Sequence, residues 1–214
     1  EFWSMEFKVT PAVLIPRPET EILIERFLET ARKENDTKQM RVLDVGTGSG
    51  NIAVVAAKER PLCRVTALDI STSALTIARE NARRYGVLNR IQFVESDLWE
   101  NLTAEVENNF DFILSNPPYI DPLQFPDLMR DVRDYEPRQA LLGGSEGLEF
   151  YRRLVPGACA RLRPGGYLFM EIGLDQAEQV TRIIQTHGRF ETPVVHQDYS
   201  GRDRVVSARK SNDG

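Results

Sequence analysis

The stretch Val42-Leu43-Asp44-Val45-Gly46-Thr47-Gly48-Ser49-Gly50 limits the folds open to this chain more than any other segment. A short apolar run breaks into alternate glycines, and apolar residues at helical spacing follow from Ile52. This predicts a buried strand, a tight loop whose glycines supply positive φ, and a helix opening at Asn51. Parallel strands need a crossover, usually helical, so a strand that passes straight into a helix belongs to a parallel sheet. The alternation continues along the chain. Candidate strands are Arg41–Val45, Arg64–Ile70, Ile91–Glu95, Phe110–Ser115, Tyr167–Ile172, Pro193–Gln197 and Arg204–Ala208. Candidate helices are Ile52–Glu59, Ser73–Tyr85, Leu148–Leu162 and Asp175–Thr186, with stripes such as Leu75/Ala78/Ala82 and Leu154/Ala158/Leu162. Gly86, Pro164-Gly165-Gly166 and Gly188 are the expected stops. The expected fold is therefore α/β, a doubly wound, Rossmann-like sheet of seven strands. Asp198–Asp203 is too short for a helical crossover, so the last two strands should form an antiparallel hairpin at the sheet edge.

Ahead of the sheet, Glu19–Lys33 reads as an amphipathic helix, with Leu23, Phe27 and Ala31 on one face and Ile24 and Leu28 beside it. Two prolines constrain its approach, Leu14-Ile15-Pro16-Arg17-Pro18-Glu19, and Glu34–Gln39 reads as a polar linker. The expected organisation is a linker and leading helix over residues 1–40, followed by a catalytic domain over residues 41–210. Glu1-Phe2-Trp3-Ser4 lacks an initiating Met and is already apolar, so residues 1–40 are expected to be the remnant of a missing N-terminal domain. Cys63 and Cys159 show neither CxxC nor Cys/His spacing, so no disulfide framework and no metal site is expected. That suits a reducing cytoplasm. No apolar stretch approaches the roughly 20 residues that span a bilayer, so no membrane association is expected. A net charge of −5 disfavours wrapping nucleic acid by neutralising phosphates.

The glycine loop reads GxGxG with an acidic residue in the preceding strand, whereas a dinucleotide fingerprint reads GxGxxG. This favours S-adenosylmethionine as cofactor, held by Gly46, Thr47, Gly48, Ser49 and Gly50. Asp69 closes the next strand, where a carboxylate can accept ribose hydroxyls, and Ser71 or Thr72 is available to cap the following helix in its place. At the third strand end, Glu95-Ser96-Asp97-Leu98 either meets the adenine, with Leu98 or Trp99 as its apolar face, or is a surface turn.

The strand Phe110–Ser115 runs into Asn116-Pro117-Pro118-Tyr119. Two prolines at a carboxyl strand end stop sheet pairing and stiffen the loop, aiming Asn116 at the ligand crevice. A planar NH₂ group suits this loop. Its hydrogens can be accepted by the Asn116 side-chain oxygen and the Pro117 carbonyl, while the Tyr119 ring stacks on its flat face. Catalysis would rest on positioning, with Asn116, Pro117 and Tyr119 at the reacting nitrogen.

Here the chain resembles the N⁶-adenine, guanine-N² and protein-glutamine methyltransferases, which share an (Asn/Asp)-Pro-Pro-(Tyr/Phe) loop on this fold. Ile15-Pro16-Arg17-Pro18-Glu19-Thr20-Glu21 and Tyr135-Glu136-Pro137-Arg138-Gln139-Ala140-Leu141-Leu142-Gly143-Gly144 narrow the resemblance to the release-factor glutamine methyltransferases, from about Phe7 to Ala208. The resemblance implies the seven-stranded class I methyltransferase fold. It also implies N5-methylation of the glutamine in the Gly-Gly-Gln loop of peptide chain release factors, with S-adenosylhomocysteine as product. Carried over by position, Gly46–Gly50 and Asp69 bind cofactor, Leu98 takes the adenine side, Asn116 contacts both cofactor and substrate, and Pro117–Tyr119 bind glutamine. A nucleic-acid amino-group methyltransferase, acting on adenine N6 or guanine N2, is the rival. The acidic charge weighs against it. Arg17 with Glu19, and Glu136 with Arg138, are either functional or plain ion pairs and surface charges.

Overall fold

The computed structural model describes residues 1–34, 39–102 and 109–212. A 3-10 turn over Pro18–Thr20 leads into α1 (Glu21–Glu34). There follow β1 (Arg41–Val45), α2 (Asn51–Glu59), β2 (Arg64–Asp69), α3 (Thr72–Arg84), β3 (Ile91–Glu95), β4 (Phe110–Ser115), α4 (Arg130–Tyr135), α5 (Glu149–Arg161), β5 (Leu162–Glu171), α6 (Ala177–His187), β6 (Val194–Gln197) and β7 (Asp203–Arg209). The expected linker Glu34–Gln39 falls largely on residues 35–38, outside the described residues.

The strands form one sheet in the order β3-β2-β1-β4-β5-β7-β6. β1 to β5 pair in parallel, and β7 runs antiparallel to both β5 and β6. The edge hairpin is as expected. One boundary is not: Pro164-Gly165-Gly166 was expected to separate helix from strand, yet it lies inside β5. Phe110 pairs with Leu162 and Phe112 with Tyr167, so Arg163–Gly166 bulge against a single residue of β4. Arg163 Nε donates to Asp111 Oδ1 at 2.7 Å and pins the bulge. A bulge absorbs residues that cannot follow the ladder while the strand goes on beyond it.

Side chains that alternate along a strand feed two cores. Val42 packs with α1, α2 and α3 on one face of the sheet, while Leu43 and Val45 pack with α5 and α6 on the other. Phe169 and its neighbours Leu168 and Met170 divide in the same way. α1 buries Ile22, Leu23, Ile24, Phe27, Leu28 and Ala31. The Phe27 ring meets Phe112 edge-on at 5.1 Å. Each such side chain withdrawn from water contributes ~1.5–3 kcal/mol, enough to clamp α1 across the sheet. The clamp holds Thr20, at the end of the preceding turn, against the carboxyl ends of the central strands. Phe2 and Met5 belong to the same core.

Candidate active site

The strand order changes direction between β1 and β4, and in an open α/β sheet ligands bind in the crevice outside the carboxyl ends at such a point. A cleft of about 1010 Å³, its open mouth included, lies there. Ser115 Oγ donates to the Val45 carbonyl at 2.8 Å, tying the end of β4 to the end of β1. The Gly46 and Thr47 N–H groups both donate to the Leu68 carbonyl, at 2.9 and 2.8 Å, folding the loop toward β2.

Gly48 has φ +54°, and its N–H donates to Asp69 Oδ2 at 2.8 Å. A Cβ built on Gly46 or Gly48 would stand in open space, so both glycines present bare backbone beside the cleft they line. Gly50 differs. It is the N-cap of α2 at φ 81°, a Cβ there would come within 2.9 Å of the Ala78 Cβ, and it does not line the cleft. Its glycine serves the approach of α2 to α3. Asn81 backs this loop, donating to the Ser49 carbonyl at 2.8 Å and to the Lys8 carbonyl at 3.0 Å.

Asp44 is fully buried. Its Oδ2 accepts from Thr47 Oγ1 at 2.6 Å and from the Ala53 N–H at 3.2 Å, satisfying one of the donors that the first turn of α2 leaves without a helical partner. Burial pushes its carboxyl up to about 7, and Oδ1 has no partner. Asp69 lies on the cleft; its Oδ1 accepts from the Ser71 N–H at 2.9 Å, and burial raises its carboxyl as well. Ser71, not Asp69, caps α3, its Oγ accepting from the Ala74 N–H at 3.2 Å. That leaves the Asp69 carboxylate on the cleft wall.

At the end of β3 the structure separates Leu98 from Trp99. Leu98 lines the cleft along with Asp97, Ile70 and Phe150. Trp99 does not; its indole packs on Gly157, lies under Arg161 and donates to the Arg153 carbonyl at 3.2 Å. Leu98 holds φ 50°, a left-handed conformation costing a branched residue roughly 1–2 kcal/mol, at a wall of the cleft where such strain tends to gather. Asp97 Oδ1 accepts from Arg153 Nη2 at 2.9 Å.

Asn116, Pro117 and Pro118 line the same cleft, leaving β4 beside the strand end from which the glycine loop departs. Asn116 Nδ2 donates to Thr20 Oγ1 at 3.0 Å, and Thr20 Oγ1 donates to Glu171 Oε2 at 2.6 Å. Tyr119 lies off the cleft. Its hydroxyl donates to Glu171 Oε1 at 3.3 Å, and its carbonyl accepts from Gln176 Nε2 at 3.0 Å. Thr20 and Glu171 are each 1% exposed, and burial pushes the Glu171 carboxyl up to about 7. The same burial raises the Tyr119 hydroxyl above its usual range, with Glu171 adding to the effect. Sequence reasoning named Thr20 only within the Ile15–Glu21 segment, with no role, and passed over Glu171, although a lone carboxylate ending the apolar run Tyr167-Leu168-Phe169-Met170-Glu171 is a signal.

Arg17 pairs with Glu136, not with its neighbour Glu19: Nη2 reaches Oε1 at 2.6 Å. Glu136 is buried, not a surface charge, and its Oε2 has no partner. Arg138 stands over the Phe125 ring at 4.4 Å. Arg17, Pro137, Gln139 and Ala140 all line the cleft, so this ion pair ties the two segments that flank it. Among the described residues no cluster of His, Cys, Asp and Glu could hold a metal ion.

The family model described as Methyltransferase small domain matches residues 18–131. A release factor glutamine methyltransferase of Moorella thermoacetica is 45% identical over 208 residues, which is 97% of this chain and 71% of that protein. Its counterpart in Geobacter sulfurreducens is 44% identical over 209 residues, 98% of this chain and 70% of that protein. Among solved structures, the N-terminal domain of human METTL16 in complex with SAH covers 99% of this chain and 77% of its own, with a TM-score of 0.70 and 17% identity. That last likeness is one of fold alone.

Proposed function

The chain belongs to the release factor glutamine methyltransferase family, and on that premise we propose that it methylates the side-chain nitrogen N5 of a release-factor glutamine, within a Gly-Gly-Gln loop, at Asn116. The observation that carries this reading is the Asn116 amide, on the wall of the cleft that the glycine loop also lines, with its NH₂ end already engaged by Thr20. Its carbonyl oxygen is left to face a donor.

The residues present suit S-adenosylmethionine. Gly46, Thr47, Gly48 and Ser49 line the cleft with bare backbone or small side chains, Asp69 offers carboxylate oxygens to hydroxyl donors, and Leu98, Ile70 and Phe150 offer apolar surface to a flat ring. When bound, that cofactor supplies an electrophilic methyl on a sulfonium that leaves as a neutral thioether, so no metal is required. The chain's own part is positioning. The Asn116 oxygen and the Pro117 carbonyl accept the two hydrogens of the glutamine amide and turn the face of its nitrogen toward the methyl; Pro118 walls the pocket. The amide nitrogen is a weak nucleophile because its lone pair is delocalised. Acceptors that strengthen as the NH₂ acquires positive charge act mainly in the transition state, and fixed geometry is worth up to ~7–11 kcal/mol. Transfer of that methyl would leave the glutamine nitrogen with one proton too many, which the Asn116 and Pro117 acceptors would hold until it passes to solvent. Tyr119, turned toward Glu171, braces the loop in this arrangement and reaches a stacking position only by leaving that bond.

Labelled S-adenosylmethionine incubated with a release factor, with its Gln→Ala variant, and with DNA or RNA tests this reading. Label should appear on the wild-type release factor alone. Label on nucleic acid, or undiminished label on the Ala variant, overturns it.

A further inference from the structure

We propose that Glu171 and Thr20 are positioning residues that decide which end of the Asn116 amide faces the substrate. The inference deepens the functional reading above and rests on it. Glu171 lies on β5 and does not line the cleft; it reaches the Asn116 side chain through Thr20, while its other partner, Tyr119, anchors the far end of the same loop. A threonine hydroxyl has one proton and two lone pairs. Glu171 Oε2 takes the proton at 2.6 Å, and the second carboxylate oxygen accepts from Tyr119, so Glu171 is acceptor to both neighbours. Toward residue 116, Thr20 then has only a lone pair to offer. It must receive a hydrogen bond, and at 3.0 Å it receives one from Nδ2.

The Asn116 carbonyl oxygen is thereby turned away from Thr20 and set as an acceptor, which selects a substrate carrying an N–H. The relay also requires an amide at this position, because an ionised aspartate has no proton to give Thr20 and would place a second carboxylate beside a buried one. In a chain with Thr20 and Glu171, the Asn form of the (Asn/Asp)-Pro-Pro-Tyr loop is therefore dictated by residues behind the site. Reversing the relay should make aspartate acceptable. The Glu171→Gln substitution sets an amide NH₂ behind Thr20 that donates to Oγ1. The Thr20 hydroxyl is then released to donate to the carboxylate that Asn116→Asp introduces.

The test measures methyl transfer to a release factor at pH 8, with cofactor affinity by calorimetry and folding by circular dichroism. Thr20→Val should lower kcat about 30-fold with cofactor Kd unchanged, and Thr20→Ser should restore the rate to within about threefold of wild type, as loss and return of a buried hydrogen bond predict. Asn116→Asp should lose about 100-fold. Adding Glu171→Gln to Asn116→Asp should regain about tenfold, although Glu171→Gln alone lowers the wild-type rate, and adding Thr20→Val should abolish the gain. That reversal of sign is what a merely structural role does not produce. If Glu171→Gln acts in the same direction in both backgrounds, or if the rescue survives loss of the Thr20 hydroxyl, the relay is refuted while the functional reading stands. A wild-type chain that leaves the release factor unlabelled overturns both. Should Thr20→Val fail to fold, the near-isosteric Asn116→Asp and Glu171→Gln pair decides the matter alone.

Discussion

Replacing Glu171 with Gln should make the protein more stable at neutral pH while making it a poorer catalyst. Glu171 is 1% exposed. Burial raises its carboxyl from the ordinary 4.5 to about 7 in spite of hydrogen bonds from Thr20 and Tyr119 and the positive charge of Arg204, and Glu19 pushes it the same way. At ~1.4 kcal/mol per pH unit, holding this group ionised costs the fold about 3 kcal/mol. The direction with pH follows from the two ionisations. Below pH 4.5 the carboxyl is protonated in both folded and unfolded chains, and no penalty arises. Between 4.5 and 7 the folded chain keeps a proton that the unfolded chain has lost, so the wild-type site loses stability as pH rises. Above 7 the full penalty stands. The Glu171→Gln side chain is neutral throughout, so the variant's advantage should grow from near zero at about pH 4 to roughly half its full size at about pH 5.5. It should approach about 3 kcal/mol at about pH 8, less whatever the weaker bond to Thr20 gives back. For a chain of this size that is roughly 6–12 °C in Tm. Asp44, also raised to about 7, titrates in both proteins and cancels. Urea unfolding of the two proteins at about pH 5.5 and about pH 8 measures the gap. A Glu171→Gln variant less stable at the higher pH, or a gap equal at the two pH values, refutes the reasoning.

Asn116→Ala should reduce transfer at least about 100-fold, the scale for removing one preorganised polar contact to a transition state, with cofactor Kd within a few-fold by calorimetry; equal loss of both would mean that Asn116 mainly holds the cofactor. In Asp69→Asn, one end of the side chain becomes an NH₂ facing either the Gly48 or the Ser71 N–H. Cofactor Kd should rise about 10- to 100-fold, and an unchanged Kd would remove Asp69 from the cofactor site. Gly50→Ala must fit a Cβ 2.9 Å from the Ala78 Cβ at φ +81°, which should cost about 2 kcal/mol or more. Gly46→Ala has the same handedness of backbone but open space, and should cost only about 1 kcal/mol; thermal melts that rank the two the other way contradict the assignment of Gly50 to packing.

The parallel sheet, its edge hairpin, the glycine loop and the Asn116 loop could all be read along the chain, because each rests on local chemistry. Alternation and helical spacing report which face is buried, glycines report positive φ, and paired prolines report where a strand must stop. The boundary expected at Pro164-Gly165-Gly166 was not legible, because the residues that break the ladder are carried as a bulge inside β5, pinned by Asp111 of the neighbouring strand. Leu98 and Trp99 are adjacent in sequence and equally apolar, and nothing local distinguishes them. The groove around Gly157 and Arg161 takes the indole and leaves Leu98 to the cleft.

What the amino-acid sequence determined by itself is the class of site: a cofactor loop and an amide-bearing loop at neighbouring strand ends. What the tertiary structure alone decided is the state of that amide. Thr20 is 96 residues from Asn116 and 151 from Glu171 along the chain. These polar groups meet only because apolar burial clamps α1 across the sheet. The direction of a hydrogen-bond chain depends on which groups meet and where each proton lies, and no spacing along the sequence records that.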